Sequence, residues 1–387
     1  ESEDLTFKNI GTMKILVDLS YVDKDNPTGV SVFALRLLHA IQKLVKDIDF
    51  VFLANKTSCE YIKGKFPNSR ACGGLDLPKG SNPVNFIRKA YNEDKIEKLI
   101  SEETVDLFFI PFLSIWTGIP KRVRTIAVIH DVQPFKINTG LKNAVYKYLY
   151  GHILDGIYQV IAISEFSKGD LNRLFPSSKG KTHVIYNSVV CGEKLEVASK
   201  LFEVPFVLNV NAMVDYKNQL TIIKAFSLIK DRIPHNLLFK ARKTNYWADT
   251  LVPFIKKMLL EDRVFLIDEK YDEAQLNWLY SKADLFVNVS TMEGFGFTPI
   301  EAAMNETEVL TSKVTALEET TLGKLNYIDD PFDAEELAEK ILRLLSKTRD
   351  ENKLKSIACT FKDMYSSERQ AKSYVEIFKK VKNENCN

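Results

Sequence analysis

Short apolar runs alternate with amphipathic helical patterns along this 387-residue chain, and the alternation starts twice. Met13-Lys-Ile-Leu-Val-Asp-Leu-Ser20 reads as a buried strand, followed by a polar loop with Pro27 and Gly29 and a helix from about Ser31 to Val45. Further strands are expected at Phe50–Ala54, Asp106–Ile110, Thr125–Ile129, Gln159–Ile163 and Thr182–Tyr186. The rhythm restarts after Pro205, with a strand at Phe206–Val210, a helix at Asn218–Ile229, and strands at Leu237–Lys240, Val264–Ile267, Leu285–Val289 and Val309–Thr311. Strands separated by helices give parallel, doubly wound sheets, because a parallel crossover needs a helix-length connection. The expected fold is therefore α/β, with two Rossmann-like halves at 13–190 and 205–365 joined by Val190–Val204. The terminal stretch 366–387, amphipathic over Ser366–Lys382, is expected to pack back on the first half.

Composition narrows the function classes. Apolar residues make up 45% and charged residues 27%, with a formal net charge of +2, so nothing calls for a nucleic-acid partner. Residues 13–190 carry 24 basic against 17 acidic residues, a net of +7. That surplus is compatible with a solvated face and with approach to an anionic membrane or acceptor. The five cysteines have no CxxC spacing, so neither a zinc site nor a disulfide framework is expected, and a reducing compartment fits. No apolar run approaches a membrane span, and Glu1–Thr12 lacks the apolar core of a signal peptide. Residues 1–12 are expected to be a foreign remnant ahead of Met13, and the protein to be cytoplasmic.

The sharpest local signal is Ser290-Thr-Met-Glu293-Gly294-Phe295-Gly296-Phe297-Thr298-Pro299-Ile300-Glu301-Ala302-Ala303, which follows a strand and opens a helix. Thr298 suits an N-cap, Pro299 the first helical position, and Thr298-x-x-Glu301 forms a capping box. Gly294 and Gly296 also bare the backbone before a helix N-terminus, where phosphates bind. Glu293 stands at the carboxyl end of a strand, the ligand edge of such sheets. Two acids around an anion site suit a sugar nucleotide. Both readings stand on the residues alone.

Glu293 and Glu301, seven residues intervening, resemble the E-x7-E signature of retaining family-4 glycosyltransferases of the GT-B fold. In the same order, Pro27-Thr-Gly29-Val-Ser-Val-Phe resembles the family's glycine loop and Ile129-His130-Asp131-Val-Gln-Pro134 its His-Asp segment. Ile163-Ser-Glu-Phe-Ser167 and Val184-Ile-Tyr-Asn-Ser188 resemble the segments closing its first domain. Tyr216-Lys217-Asn218-Gln219 matches its phosphate-binding lysine, and Leu279-Tyr280-Ser-Lys-Ala-Asp-Leu-Phe286 the run before the signature. The resemblance spans nearly all of 13–387.

The resemblance implies two halves facing across a cleft and roles by position. Glu293, His130 and Lys217 are the expected catalytic set: Glu293 on the donor sugar, His130 reaching the sugar from the first half, Lys217 neutralising the diphosphate. Glu301 would hold the ribose, the amides of Gly296, Phe297 and Thr298 the diphosphate or sugar oxygens, and Gly29 would let its loop lie against the diphosphate. Asn211, Gly294 and Phe295 complete the expected donor-binding set. No metal or cofactor is expected; the partners are a nucleotide-sugar donor and a glycan or lipid-linked acceptor, in cell-surface polysaccharide assembly, with donors of mannose, rhamnose or glucose type. The family's Gly-Arg is Asn211-Ala212 here, with Arg242 and Lys243 as candidate replacements for the lost charge. A family glycine is Asp268, Val289 stands where proline is common, and the glycine and proline after the signature are Glu306 and Glu308. A less positive diphosphate pocket is expected. These departures motivate an alternative, a catalytically impaired sugar-nucleotide-binding or scaffolding relative. An epimerase or phosphorylase fits less well, since there is no G-x-G-x-x-G and no lysine placed for a Schiff base. Asp23-Lys24-Asp25 has the D-x-D form of metal-dependent transferases but reads as a surface turn, as does Asp329-Asp330-Pro331.

Overall fold

The computed structural model describes residues 12–26, 28–73, 84–137 and 140–384. Two compact units result, Glu1–Asn187 with Ser367–Asn387, and Ser188–Ser366. The first holds a seven-stranded parallel sheet in the order β3-β2-β1-β4-β5-β6-β7. Its strands are β1 (Met13–Leu19), β2 (Ile48–Ala54), β3 (Arg70–Gly73), β4 (Leu107–Ile110), β5 (Arg124–Ile129), β6 (Gln159–Ala162) and β7 (Thr182–Val184). The second holds six parallel strands, β8 (Phe206–Val210), β9 (Asn236–Lys240), β10 (Val264–Ile267), β11 (Leu285–Asn288), β12 (Val309–Ser312) and β13 (Asn326–Ile328), ordered β10-β9-β8-β11-β12-β13. Each order reverses once, between β1 and β4 and between β8 and β11, and such a switch point opens a crevice at the carboxyl edge of the sheet.

Central strands are buried on both faces, which is why they read as unbroken apolar runs: Leu107–Ile110 and Leu285–Asn288 are buried throughout. The second core joins Val207, Phe239, Leu285, Val287 and Leu310 of the sheet to Ile222 and Phe226 of the helix Gln219–Ile229. The first helix runs Gly29–Leu44, two residues earlier than the sequence suggested, because the Thr28 side chain accepts from Ser31 N–H and caps it. Asp23-Lys24-Asp25 is a turn, with Asp25 N–H on the Asp23 carboxylate at 3.0 Å. At Asp329-Asp330-Pro331, Phe332 N–H bonds Asp330 at 2.9 Å. Pro27 and residues 1–11 lie outside the described residues.

The helix Ser367–Glu384 lies on the first unit. Phe378 packs against Phe109 (ring centroids 5.0 Å), while Lys379 pairs with Asp47 at 2.8 Å and Lys382 with Asp106 at 3.2 Å. Residues 190–204 fall in the second unit, where Leu195 N–H donates to Ala274 O at 3.0 Å. Cys59, Cys191 and Cys359 are free thiols. Among the described residues no helix is long and apolar enough to cross a membrane.

Candidate functional site

Two loops leave the carboxyl edge of the second sheet on either side of its switch point. After β8, Asn211 leads to a short 3-10 turn, Asp215–Lys217. After β11, residues 289–296 lead to the helix Phe297–Met304. The loops are tied together: Thr291 N–H and Oγ1 both donate to Tyr216 O, at 2.9 and 3.1 Å. Asn218, at φ +57°, donates from Nδ2 to Val289 O (3.2 Å) and Pro331 O (2.6 Å), pinning both loops to the turn after β13. Below them Asn211 Nδ2 donates to Asn288 Oδ1 at 3.2 Å. The fully buried Asn288 has an Nδ2 with no partner among the described residues.

This scaffold brings Lys217 and Glu293 together. Lys217 Nζ lies 2.7 Å from Glu293 Oε1, and both side chains are only 12% exposed. Glu293 is held from behind by Thr315, whose Oγ1 accepts its N–H at 2.9 Å. An ion pair this sheltered from water is strongly felt by both partners.

The helix beside them starts without a side-chain cap. Gly296 is its N-cap residue at φ +88°, a left-handed conformation costly for other residues. A Cβ there would lie 2.5 Å from Leu317 Cδ2. This turn starts the helix at Phe297 rather than Pro299, so Thr298 falls inside the first turn and caps nothing. The capping box expected for Thr298 and Glu301 does not form. Glu301 instead accepts a hydrogen bond from Tyr280 OH on Oε2 at 2.7 Å. An uncapped helix start with its positive dipole end is a seat for an anion.

Other expected donor residues fare differently. The Phe295 side chain is buried against Tyr365 (5.5 Å), and its carbonyl accepts from Thr320 Oγ1 at 2.5 Å. Phe297 is 39% exposed. Gly29 opens the first helix of the first unit, exposed and with open space where a Cβ would stand. Arg242 and Lys243 are exposed, and among the described residues no contact ties either to Lys217; Asp268 accepts from Lys243 N–H at 2.7 Å and thereby closes that turn. The expectation that Glu306 and Glu308 make the pocket less positive is corrected. They lie past the C-terminal end of the helix Phe297–Met304 and ahead of β12, at the opposite edge of the sheet from Lys217. Glu306 adopts φ +65°, the conformation that favours glycine there, and Glu308 accepts from Asn326 Nδ2 at 2.6 Å.

In the first unit His130 follows β5. Its Nε2 lies 3.0 Å from Pro111 O, and Phe33 meets the ring edge-on at 4.7 Å. A carbonyl can only accept, so Nε2 carries the proton and Nδ1 is left as an acceptor. Burial holds the imidazole pKa down at about 4, so the ring is neutral at pH 7.

Residues 27–192 match the family described as Glycosyltransferase Family 4, and residues 181–359 the family described as Glycosyl transferases group 1. The chain belongs to this glycosyltransferase family. It is similar to the O-antigen chain mannosyltransferase RfbU of Salmonella typhimurium, at 30% identity over 210 residues, 54% of this chain and 57% of that protein. The matches span less than two thirds of the length of the curated relatives. Among solved structures, a glycosyltransferase from Rickettsia africae superposes with a TM-score of 0.75 at 18% identity, covering 96% of this chain and 99% of that one. HepE of Anabaena, solved with UDP, gives 0.70 at 16% identity over 95% and 100%. At these identities the likeness is one of fold, the two-Rossmann GT-B fold.

For this family-4 member, sequence reading named Lys217, Glu293 and Glu301 but missed the residues that hold them: Thr291, Thr315 and Tyr280. Thr291 and Thr315 carry no sequence signal of their own. Tyr280 sits in the Leu279–Phe286 run already read as family-like.

Proposed function

We propose that this chain is a retaining hexosyltransferase. It takes a sugar from a nucleoside-diphosphate donor held at the carboxyl edge of the second sheet and passes it to a glycan or lipid-linked acceptor in cell-surface polysaccharide assembly. The observation that carries this reading is the sheltered Lys217–Glu293 pair, 2.7 Å apart, beside the uncapped start of the helix Phe297–Met304. The name of RfbU supports an O-antigen-type product and a mannosyl donor. HepE, solved with UDP, supports a nucleotide at a site of this fold.

In this reading the diphosphate lies on the amides of the helix start and draws the ammonium of Lys217. Glu293, relieved of part of its partner, accepts from sugar hydroxyls. Glu301 holds the ribose. The bond from the sugar's anomeric carbon to the diphosphate oxygen breaks while a bond to the acceptor oxygen forms on the same face. The acceptor's proton passes to the departing phosphate. Lys217 and the helix dipole meet the charge that builds on the diphosphate, which is where such sites gain most of their rate. The chemistry needs no metal on this account, and activity should survive chelation by EDTA.

The test is a thermal-shift screen with UDP, GDP, dTDP, CDP and ADP. A ligand that binds only the folded state raises the melting temperature by mass action. One base should stand out, and donors carrying it should be turned over by the wild type. Glu293→Gln should keep the shift and lower turnover by at least a hundredfold. No shift with any nucleotide would overturn the reading in favour of a non-catalytic scaffold.

A further inference from the structure

We propose that Tyr280 is a positioning residue that presets Glu301 for the ribose hydroxyls of the nucleotide. The inference rests on the reading of Glu301 given above and names the part of the fold that makes it work.

The geometry is specific. Tyr280 lies on the helix Glu273–Lys282 and is 1% exposed. Its ring packs edge-on against Phe286 of β11 at 5.6 Å, and its carbonyl accepts from Thr307 Oγ1 at 2.6 Å. Its hydroxyl reaches Glu301 Oε2 at 2.7 Å. A second tie runs alongside: Asn305 Nδ2 donates to Asn277 Oδ1 at 3.1 Å and to Glu301 O at 3.0 Å. The two helices are thus locked in register around Glu301. Burial and the neighbouring carboxylate push the phenol far above its usual range, so it stays protonated and donates.

The consequence is preorganisation. A glutamate side chain loses considerable rotamer freedom when a ligand fixes it. Here a rigid buried phenol has already fixed it. The phenol takes one acceptor position on Oε2, and a carboxylate offers about four lone-pair sites in all. A carboxylate can accept from two vicinal hydroxyls at once. Removing only the phenol oxygen therefore weakens ribose recognition without touching any ligand directly.

The experiment compares wild type, Tyr280→Phe, Glu301→Gln and the double variant, by calorimetric titration with UDP, GDP, CDP and ADP. The base that binds best is then repeated as its 2′,3′-dideoxy diphosphate. Tyr280→Phe should weaken the ribonucleotide about tenfold, the scale of a hydrogen bond to a charged group, and leave the dideoxy analogue's affinity unchanged. In the Glu301→Gln background the same change should add little, because the two act as one unit. A variant that weakens both nucleotides equally would show a general packing defect and overturn the inference. So would a Tyr280→Phe that binds the ribonucleotide like wild type. If the wild type binds none of the four nucleotides, the reading of the site falls first, and this inference with it.

Discussion

Protonating His130 should destabilise the protein, and the structure sets the size of the effect. The half-buried imidazole packs edge-on against Phe33, carries its proton on Nε2 toward Pro111 O, and has a pKa lowered from 6.5 to about 4 by loss of solvation. The unfolded chain binds a proton near pH 6.5, the folded one only near pH 4. The stability tied to the neutral ring is therefore fully present above pH 6.5 and is lost as pH falls toward 4. With each pKa unit worth 1.36 kcal/mol, the loss is about 2 kcal/mol by pH 5 and about 3 kcal/mol by pH 4. The assay is urea unfolding at pH 7.5 and 5.0 for wild type and His130→Gln. Carboxylates shared by both proteins cancel in the difference, and Gln keeps a donor for Pro111 O. Wild type should lose about 2 kcal/mol more than the variant between the two pH values. Nitrogen-15 spectra of the histidines, with the variant assigning His130, should show its ring neutral at pH 5.5. Equal pH slopes, or a ring titrating near 6.5, would refute the argument that burial controls this group.

Gly296→Ala should cost about 2–4 kcal/mol, from a left-handed residue that gains a Cβ and a clash with Leu317 Cδ2 at 2.5 Å; a melting temperature within a degree of wild type would contradict it. Glu306→Gly should stabilise by about 1 kcal/mol, since φ +65° suits glycine, and should leave nucleotide affinity unchanged because the residue lies at the far edge of the sheet. Lys217→Met should weaken nucleoside diphosphates by more than tenfold and leave Glu293 buried without its cation, lowering stability by about 3 kcal/mol, the scale for breaking a buried pair; Lys217→Arg should restore much of the stability.

Most of the fold was legible because the strands are buried on both faces. Phe206–Val210 and Leu285–Asn288 stand in the structure where the apolar runs put them. The strands that went unread, Arg70–Gly73 and Asn326–Ile328, lie at the outer edges of their sheets. An edge strand pairs on one side only, so its sequence need not be a continuous apolar run, and three or four residues such as Asn326-Tyr-Ile328 carry no period to detect.

The site divides along a different line. Lys217 and Glu293 could be placed because each follows a strand in a motif whose spacing fixes which edge of the sheet it occupies. What holds them could not, because Thr291 with Tyr216 and Thr315 with Glu293 are contacts between loops that the fold, not local sequence, brings together. The helix start shows the same limit from the other side. Thr298-Pro-Ile-Glu301 satisfies every local requirement of a capping box, yet the left-handed turn at Gly296 begins the helix earlier and Tyr280, 21 residues away in sequence, takes the carboxylate. A local motif won on propensity and lost on geometry. The outcome leaves the helix N-terminus without a side-chain cap and hands Glu301 to a buried partner, the combination that the proposed nucleotide site would use.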